Sequence, residues 1–475
     1  MNRYVTAALV AITATATQAQ TLNPAPKLVV NITVDQLRSD YIEAFAPLYT
    51  ENGFRKLLKQ GKIFENVSYA FTPIDRASAI ATIQTGATPY YNGIVGEKWL
   101  DRNTLQPITC DSDPKFQYSP NHIVSSTIGD ELKIATEGGA LVYAIAPFRN
   151  AAILSAGHAA DGAIWIDEDG KWTTSTYYSK DLPKWAKVFN ETNPPKSLRT
   201  NDFIAINSSI TDMALQCFRN TSMGTDSRPD LLEVTYYAGN VKNDKTTQWQ
   251  SQLQQTYVSL DKNIGKLITT IEQNLGRQNV VFVVTSTGYS DEEEKQDYAK
   301  YRIPTGTFYI NRTANLLNIY LGAIYGQGRY VNTYFHNQLY LNDKLIEQKR
   351  LSMSDVLKRC QAFLIQLSGV RDCFTSDLLL TSRSNDLETI RNGYMPNVNG
   401  DIVIEVTPGW QLLNEDNQET FTARASFVPF PIIIYGADVR AERISTPVTV
   451  DRLAPTIAKT IRIRAPNACK AAPLY

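Results

Sequence analysis

Short, continuous apolar runs punctuate the chain and alternate with stretches whose apolar residues recur at helical spacing. Lys27 to Val34 (KLVVNITV) is one such run and ends at Asp35; Ile80 to Thr85, Ala140 to Ala146, Asp230 to Tyr236 and Val280 to Val284 are others. Runs of this length without polar alternation predict strands buried on both faces. Gly53 to Gln60 predicts a short amphipathic helix. Leu253, Tyr257, Leu260, Ile264, Leu267 and Ile271 repeat at helical intervals, which predicts a long helix over Gln248 to Leu275. The alternation predicts an α/β fold: a central, mainly parallel sheet with helices on both faces. In such a sheet the ligand site lies at the carboxyl ends of the strands. Candidate chemistry therefore falls on Asp35, the 72–79 loop, Phe148 to Asn150, Ala238 to Asp244 and Thr285 to Gly288.

From about residue 290 to 400 the pattern changes to Tyr-rich strands (Gly306 to Ile310, Gln338 to Leu341) and a helix over Ser354 to Leu367. This predicts a smaller cap region inserted into the main fold. Phe427 to Gly436 (FVPFPIIIYG) predicts a further core strand, and Pro455 to Ile461 starts a helix with an early proline.

The first 19 residues change the picture of where the protein works. Asn2 and Arg3 precede an apolar stretch from Tyr4 to Ala16, which ends in Thr17-Gln18-Ala19. That order predicts a removable export signal, with the working body at 20–475 and a periplasmic or secreted location. No stretch reaches the roughly 18 apolar residues of a membrane span, so no transmembrane segment is expected. The 47 basic residues balance 47 acidic ones, which argues against nucleic acid as a partner. Five cysteines leave at least one unpaired; Cys360 with Cys373 is the expected disulfide, and none sits in a C-x-x-C pattern.

KLVVNITVDQLRSDY, TGATPYYNGIVGEKW, STIGDELK, AILSAGHAADGAIWID, SLDKNIGKLI, YLNDKLIE, GDIVIEVTPGW and PIIIYGADV stand in one order from Lys27 to Cys469. Together they resemble the phosphate-irrepressible alkaline phosphatases, members of the superfamily that also holds nucleotide pyrophosphatase/phosphodiesterases and sulfatases. The resemblance implies an alkaline-phosphatase-like fold and a chemistry in which two zinc ions activate a Thr or Ser alkoxide and neutralise phosphoryl oxygens. Each metal needs about three Asp or His ligands.

Transferred position by position, that chemistry finds few takers. Asp35 matches the first-strand aspartate. The nucleophile position, nine residues before Thr85-Gly86, is Arg76, whose guanidinium offers no available lone pair; a register shift would offer Ser78. The Asp-x-x-x-His motif falls on Asn240 and Asp244, and the Asp-His pair on Ser286 and Thr287. No histidine stands between Thr420 and Pro431 for the last ligand, so five of the six implied ligands are missing. The phosphate-contacting Asn is replaced by Glu97, and the Lys-Asp-Arg clamp reads Phe148-Arg149-Asn150.

Of the chain's three histidines, His158 reads as a structural residue, and His122 and His336 as surface or packing residues. Arg76 is expected to pair with Asp35 in place of the metals; alternatively Arg76 and Arg149 line an anion-binding pocket. The run Asp291 to Lys295 reads as a solvated loop or a loose cation site. The expectation is a catalytically inactive phosphatase-like protein with no metal or cofactor. It would serve as a binding or scaffold module for an unidentified protein partner in a cell-envelope or outer-membrane assembly. The alternative is a hydrolase of phosphate mono- or diesters with an altered metal site.

Overall fold

The computed structural model describes residues 24–239, 249–291, 302–422 and 428–475. Its organising strand is β1 (Leu28–Asp35), buried at every position. In chain order the other strands of the main sheet are β2 (Lys62–Ser68), β3 (Val142–Ala146), β4 (Gly162–Ile166), β5 (Trp172–Thr174), β6 (Asp230–Tyr237), β7 (Val280–Ser286), β8 (Phe430–Gly436) and β9 (Glu442–Ile444). Across the sheet they run β9, β2, β8, β7, β1, β6, β3, β4, β5, with Val448–Thr449 pairing β2 as a tenth strand. The centre, from β7 through β1, β6 and β3 to β4, is parallel; β8 is antiparallel to both β7 and β2, and β5 to β4. The expected mainly parallel α/β sheet is therefore present, and the antiparallel pairings of β8 and β5 make it mixed. Its register sets Asp35 opposite Tyr237 of β6, and Val34 opposite Ser286 of β7, so three strand ends meet at one point.

Apolar side chains on alternate positions of β1 supply both faces. Leu28, Val30, Ile32 and Val34 join one core with α3 (Phe203–Asn220) and α4 (Trp249–Leu275), whose Ile210, Leu260 and Ile264 are fully buried. Val29 packs on the other side with Val281, Ile434 and Ile457. The remaining helices that matter here are α1 (Arg76–Thr85) and α2 (Arg149–Ala156), which share an alanine-rich core through Ala77, Ile80, Ala81, Ala151 and Ile153. The Ile80 to Thr85 run is thus helical, not a strand. Every residue from Ala77 to Thr85 is buried, and a helix covered on all sides has no polar stripe to reveal its period.

A second body has its own core, drawn from Phe308 through Leu317, Cys360 and Ile404 to Leu412. Gly306–Tyr309, Trp410–Asn414 and Glu419–Phe421 form one small sheet; Val331–Phe335, Gln338–Leu341, Ile402–Val406 and Val370–Thr375 form another. This packing unit extends past residue 400 because its strands close only with Ile402–Val406 and Trp410–Asn414. Cys360 and Cys373 both lie in that core, but as free thiols rather than the expected disulfide. Burial alone accounts for both positions, since cysteine packs as a small apolar side chain.

Below Asp35 the sheet buries a second carboxyl. Asn31 of β1 faces Glu233 of β6 and donates Nδ2–H to both its oxygens (3.2 and 2.9 Å), while Gln84 of α1 donates Nε2–H at 2.8 Å. Burial pushes the Glu233 carboxyl up to about 8, with the Gln84 and Asn31 hydrogen bonds opposing. Its folded value thus lies above the unfolded value of about 4.3. The stabilising contribution is complete below that value and is lost as pH rises through about 8. Melting temperature is therefore expected to fall between roughly pH 5 and pH 9, and Glu233→Gln to flatten that fall. An unchanged slope in the variant, followed by circular dichroism, would count against this assignment.

Candidate functional site

Helix α1 starts where the loop after β2 reaches the end of β1. Asp75 caps it: its Oδ1 accepts from the Ser78 N–H (2.9 Å) and from the Ser78 hydroxyl (2.8 Å), and the Asp75 N–H reaches Ser78 Oγ at 3.0 Å. Ser78 is thereby spent on the cap. It does not face Asp35, and the register-shifted nucleophile has no geometric support. Arg76, the first residue of the helix, instead projects over the strand ends.

Its guanidinium is held on three sides. Nε donates to Asp35 Oδ2 at 2.7 Å, Nη1 donates to Glu97 Oε1 at 2.9 Å, and Cζ lies 3.7 Å from the centre of the Phe148 ring. The Asp35 side chain is 0% exposed and that of Arg76 14%, so this is a largely desolvated pair; Glu97, at 39%, closes it from outside. Asn150 of α2 donates Nδ2–H to the same Glu97 oxygen at 3.1 Å. On the far side, Thr287 donates its hydroxyl to Asp35 Oδ1 at 2.7 Å and accepts the Gln36 N–H at 2.9 Å. Ser286 turns its hydroxyl to the Leu37 carbonyl at 2.9 Å. Burial pushes the Asp35 carboxyl above the ordinary range, while the charge and hydrogen bond of Arg76 and the Thr287 hydroxyl pull it back. Burial would lower the Arg76 guanidinium, but Asp35, Tyr289 and Glu97 hold it more firmly protonated than usual. The pair is ionic.

Asp35, Arg76, Glu97, Phe148, Asn150 and Thr287 therefore form one connected group, and Ser286 stands beside it. Asn240 and Asp244 lie outside the described residues, as does the acidic run from Glu292 to Lys295. The donors gathered here do not fit a two-zinc centre. Among the described residues no three His, Cys, Asp or Glu side chains cluster to hold a metal ion, and the carboxylate nearest the centre already carries a guanidinium. A zinc ion at Asp35 would have to displace a fixed cation and find imidazole or carboxylate partners that Ser286 and Thr287 do not supply.

Arg149 is committed elsewhere. Nε and Nη2 grip Asp111 at 2.7 and 3.3 Å, Asp111 is fully buried, and the guanidinium carbon lies 3.8 Å from the Tyr118 ring centre. Sequence reading missed Asp111, which sits in the turn between the short strands Pro107–Thr109 and Ser112–Asp113 and belongs to no motif. Arg76 and Arg149 nevertheless both line one cavity of about 850 Å³ beside the strand ends. The histidines sit apart from it. His158 places Nδ1 2.8 Å from Asp130 and Nε2 3.1 Å from the Ile123 carbonyl; burial would lower it, but the Asp130 hydrogen bond and charge raise it. His336 is stacked between Phe335 and Phe421, and burial drives it down to about 4. His122 packs edge-on against Trp99.

Residues 29–426 match the profile of the type I phosphodiesterase / nucleotide pyrophosphatase family. A protein named calcium-transporting ATPase from Myroides odoratus is 27% identical, with 93% of each chain covered. Alkaline phosphatase PafA from Elizabethkingia meningoseptica is 25% identical, over 95% of this chain and 94% of its own. The crystal structure of wild-type alkaline phosphatase PafA overlays with a TM-score of 0.82 at 24% identity, covering 95% of this chain and 98% of that one. The chain belongs to the type I phosphodiesterase / nucleotide pyrophosphatase family and, with it, to the alkaline phosphatase superfamily.

Removing one partner of a buried ion pair leaves the other charge uncompensated. Arg76→Ala is therefore expected to lower unfolding stability by roughly 3–5 kcal/mol. Arg76→Lys should lose part of that, because an ammonium cannot span both carboxylates with the same planar fork. Urea unfolding checks both, and an Arg76→Ala midpoint equal to the parent's would remove the ion pair from this account.

Proposed function

We propose that this chain is a non-catalytic member of its family, a pseudoenzyme that binds rather than hydrolyses. The observation that carries the reading is the Arg76 guanidinium seated between Asp35 and Glu97 at the position where the resemblance expects a nucleophile. A guanidinium has no lone pair with which to attack phosphorus. The cation also occupies the counter-charge role that metals would fill, and Glu97 adds a negative charge where a phosphate dianion would need donors. The leader-like composition of the first 19 residues supports export, to the periplasm or outside the cell. Among the described residues no helix is long and apolar enough to cross a membrane. We read the body that begins near residue 290 as an insertion that caps the main fold, and the partner as an unidentified protein of a cell-envelope or outer-membrane assembly.

A second reading, hydrolysis of phosphate mono- or diesters through an altered metal site, has its own support. Relatives matched over nearly the whole chain carry phosphatase names, and this company favours an enzyme more than a scaffold. Geometry at the strand ends favours the first reading, since the rearranged residues satisfy one another.

Two measurements separate them. Elemental analysis of protein purified without chelator is expected to find no stoichiometric zinc, and turnover of aryl phosphate, phosphodiester and sulfate esters is expected to stay at background. Arg76→Thr should not restore turnover, because one alkoxide without metals has neither a lowered pKa nor charge stabilisation. Tightly held zinc together with turnover above a mock purification would establish the second reading instead.

A further inference from the structure

One helix of the second body lacks a polar side. In α5 (Ile310–Tyr325), Ile310, Ala314, Leu317 and Leu321 face the core of that body. The opposite face is apolar as well: Leu316 is 49% exposed, Ile319 is 70% exposed, and Ala323 is exposed one turn further on. From Leu316 to Tyr325 (LLNIYLGAIY) no residue is charged. The one amide, Asn318, is spent on Val331, accepting its N–H at 2.8 Å and donating to its carbonyl at 3.3 Å. A helix that is apolar all round belongs in an interior, yet nothing among the described residues covers this one. Tyr320 widens the apolar face by stacking on Phe363 of α6 (Met353–Leu364), with ring centres 4.5 Å apart. At Gly322 a side chain would point into open space, with no neighbouring atom within 4 Å. A glycine weakens a helix interior, and no neighbour within the chain requires this one.

The two ends of this face carry opposite charge. At the first turn, Asn311 donates Nδ2–H to Glu415 Oε2 at 3.2 Å, and Arg312 pairs with the same carboxylate. Asp416, 3.5 Å from the Asn311 amide, is exposed and meets no Lys or Arg among the described residues. At the last turn, Lys349 donates to the Tyr325 carbonyl at 3.0 Å, and the guanidinium carbon of Arg359 lies 5.8 Å from the Tyr325 ring centre. Neither cation meets a carboxylate among the described residues. A partner must therefore be apolar in the middle and carry the reverse order of charge. The same face on a second copy, turned end for end, meets that description: the acidic end of each copy lies over the basic end of the other, and antiparallel helix dipoles attract. A crossing at Ile319 sets Leu316 of one copy over Gly322 and Ala323 of the other, large against small, as close packing requires. An anionic membrane surface, by contrast, would be repelled at the Asp416 end.

We propose that two copies of the chain associate through this face, as a two-fold pair of antiparallel α5 helices crossing at Ile319. The pairing holds whether or not the strand ends hydrolyse an ester. One helix and its flank make a small interface, so the pair should be weak, with a Kd of roughly 10 μM. Sedimentation equilibrium of the exported chain, from about 1 to 200 μM, should show the passage from monomer to dimer. Ile319→Glu, at a position 70% exposed, should keep the parent's melting curve and raise the Kd at least about tenfold, because it brings two carboxylates face to face. Ile319→Cys should cross-link to its own copy under copper–phenanthroline, whereas Val188→Cys, 60% exposed on the main body, should not. A single species of monomer mass over the whole range, or a dimer indifferent to Ile319→Glu, overturns the proposal. A monomer that floats with phosphatidylglycerol vesicles, and ceases to in Ile319→Glu, also overturns it and gives the face to a membrane surface.

Discussion

A carboxylate at the buried end of the central strand needs a counter-charge, and the rest of the site follows from how that need is met. Asp35 is 0% exposed and ends β1, where β6 and β7 also end. Left alone, such a charge costs several kcal/mol of desolvation or takes up a proton. Metal ions are one solution. Here Arg76 supplies the charge, Thr287 the remaining hydrogen bond, and Glu97 holds the guanidinium from the solvent side. Asn150 in turn steadies Glu97, and Phe148 gives the guanidinium a flat surface. Positions that read in sequence as separate losses (nucleophile, phosphate contact, clamp and ligand) are contacts of one network. Each makes physical sense only with the others present.

Placing a cation at the first residue of a helix runs against the helix dipole, which favours negative charge there. Three carboxylates offset this. Asp75 caps the helix and also accepts the Glu97 N–H at 2.6 Å, while Asp35 and Glu97 contact Arg76 directly. Near the helix's other end Gln84 is tied to Glu233, which Asn31 also holds. Helix α1 is thus bound to the β1–β6 pair at both ends, by an ion pair above and by a buried carboxyl below. Its apolar residues pack between these ties, so the direction in which Arg76 points is fixed by the core as well as by its partners.

Much of this was legible in the chain. The run to Asp35 announced a buried strand and the residue at its end, and Leu253 to Ile271 announced helix α4 because the period of a half-buried helix shows in polarity. Helix α1 was not legible for the complementary reason: from Ala77 to Thr85 nothing faces water, so apolar content carries no period. The Arg76–Asp35 contact was readable because a guanidinium stood where the resemblance expected a neutral hydroxyl. Thr287 could be placed at the site from its strand, but not its hydrogen bond to Asp35, which depends on the register of β7 against β1. Asp111 and Glu233 gave no signal, since one lies in an irregular segment and the other inside an otherwise apolar run. The extent of the second body past residue 400 was hidden too, because strands far apart in sequence close its sheets.

Shared architecture constrains function less than the charges at the strand ends do. A TM-score of 0.82 to a phosphatase structure says that the fold, a central sheet with its helices, is held in common. It says nothing about what neutralises Asp35. With a guanidinium in that role, Asp35 is charge-paired before any ligand arrives. The concavity beside the strand ends is built jointly by the loop around Asp113, the strands β4 and β5, and Arg76, Phe148 and Asn150 of the network itself. What neutralises Asp35 therefore also shapes one wall of that cavity.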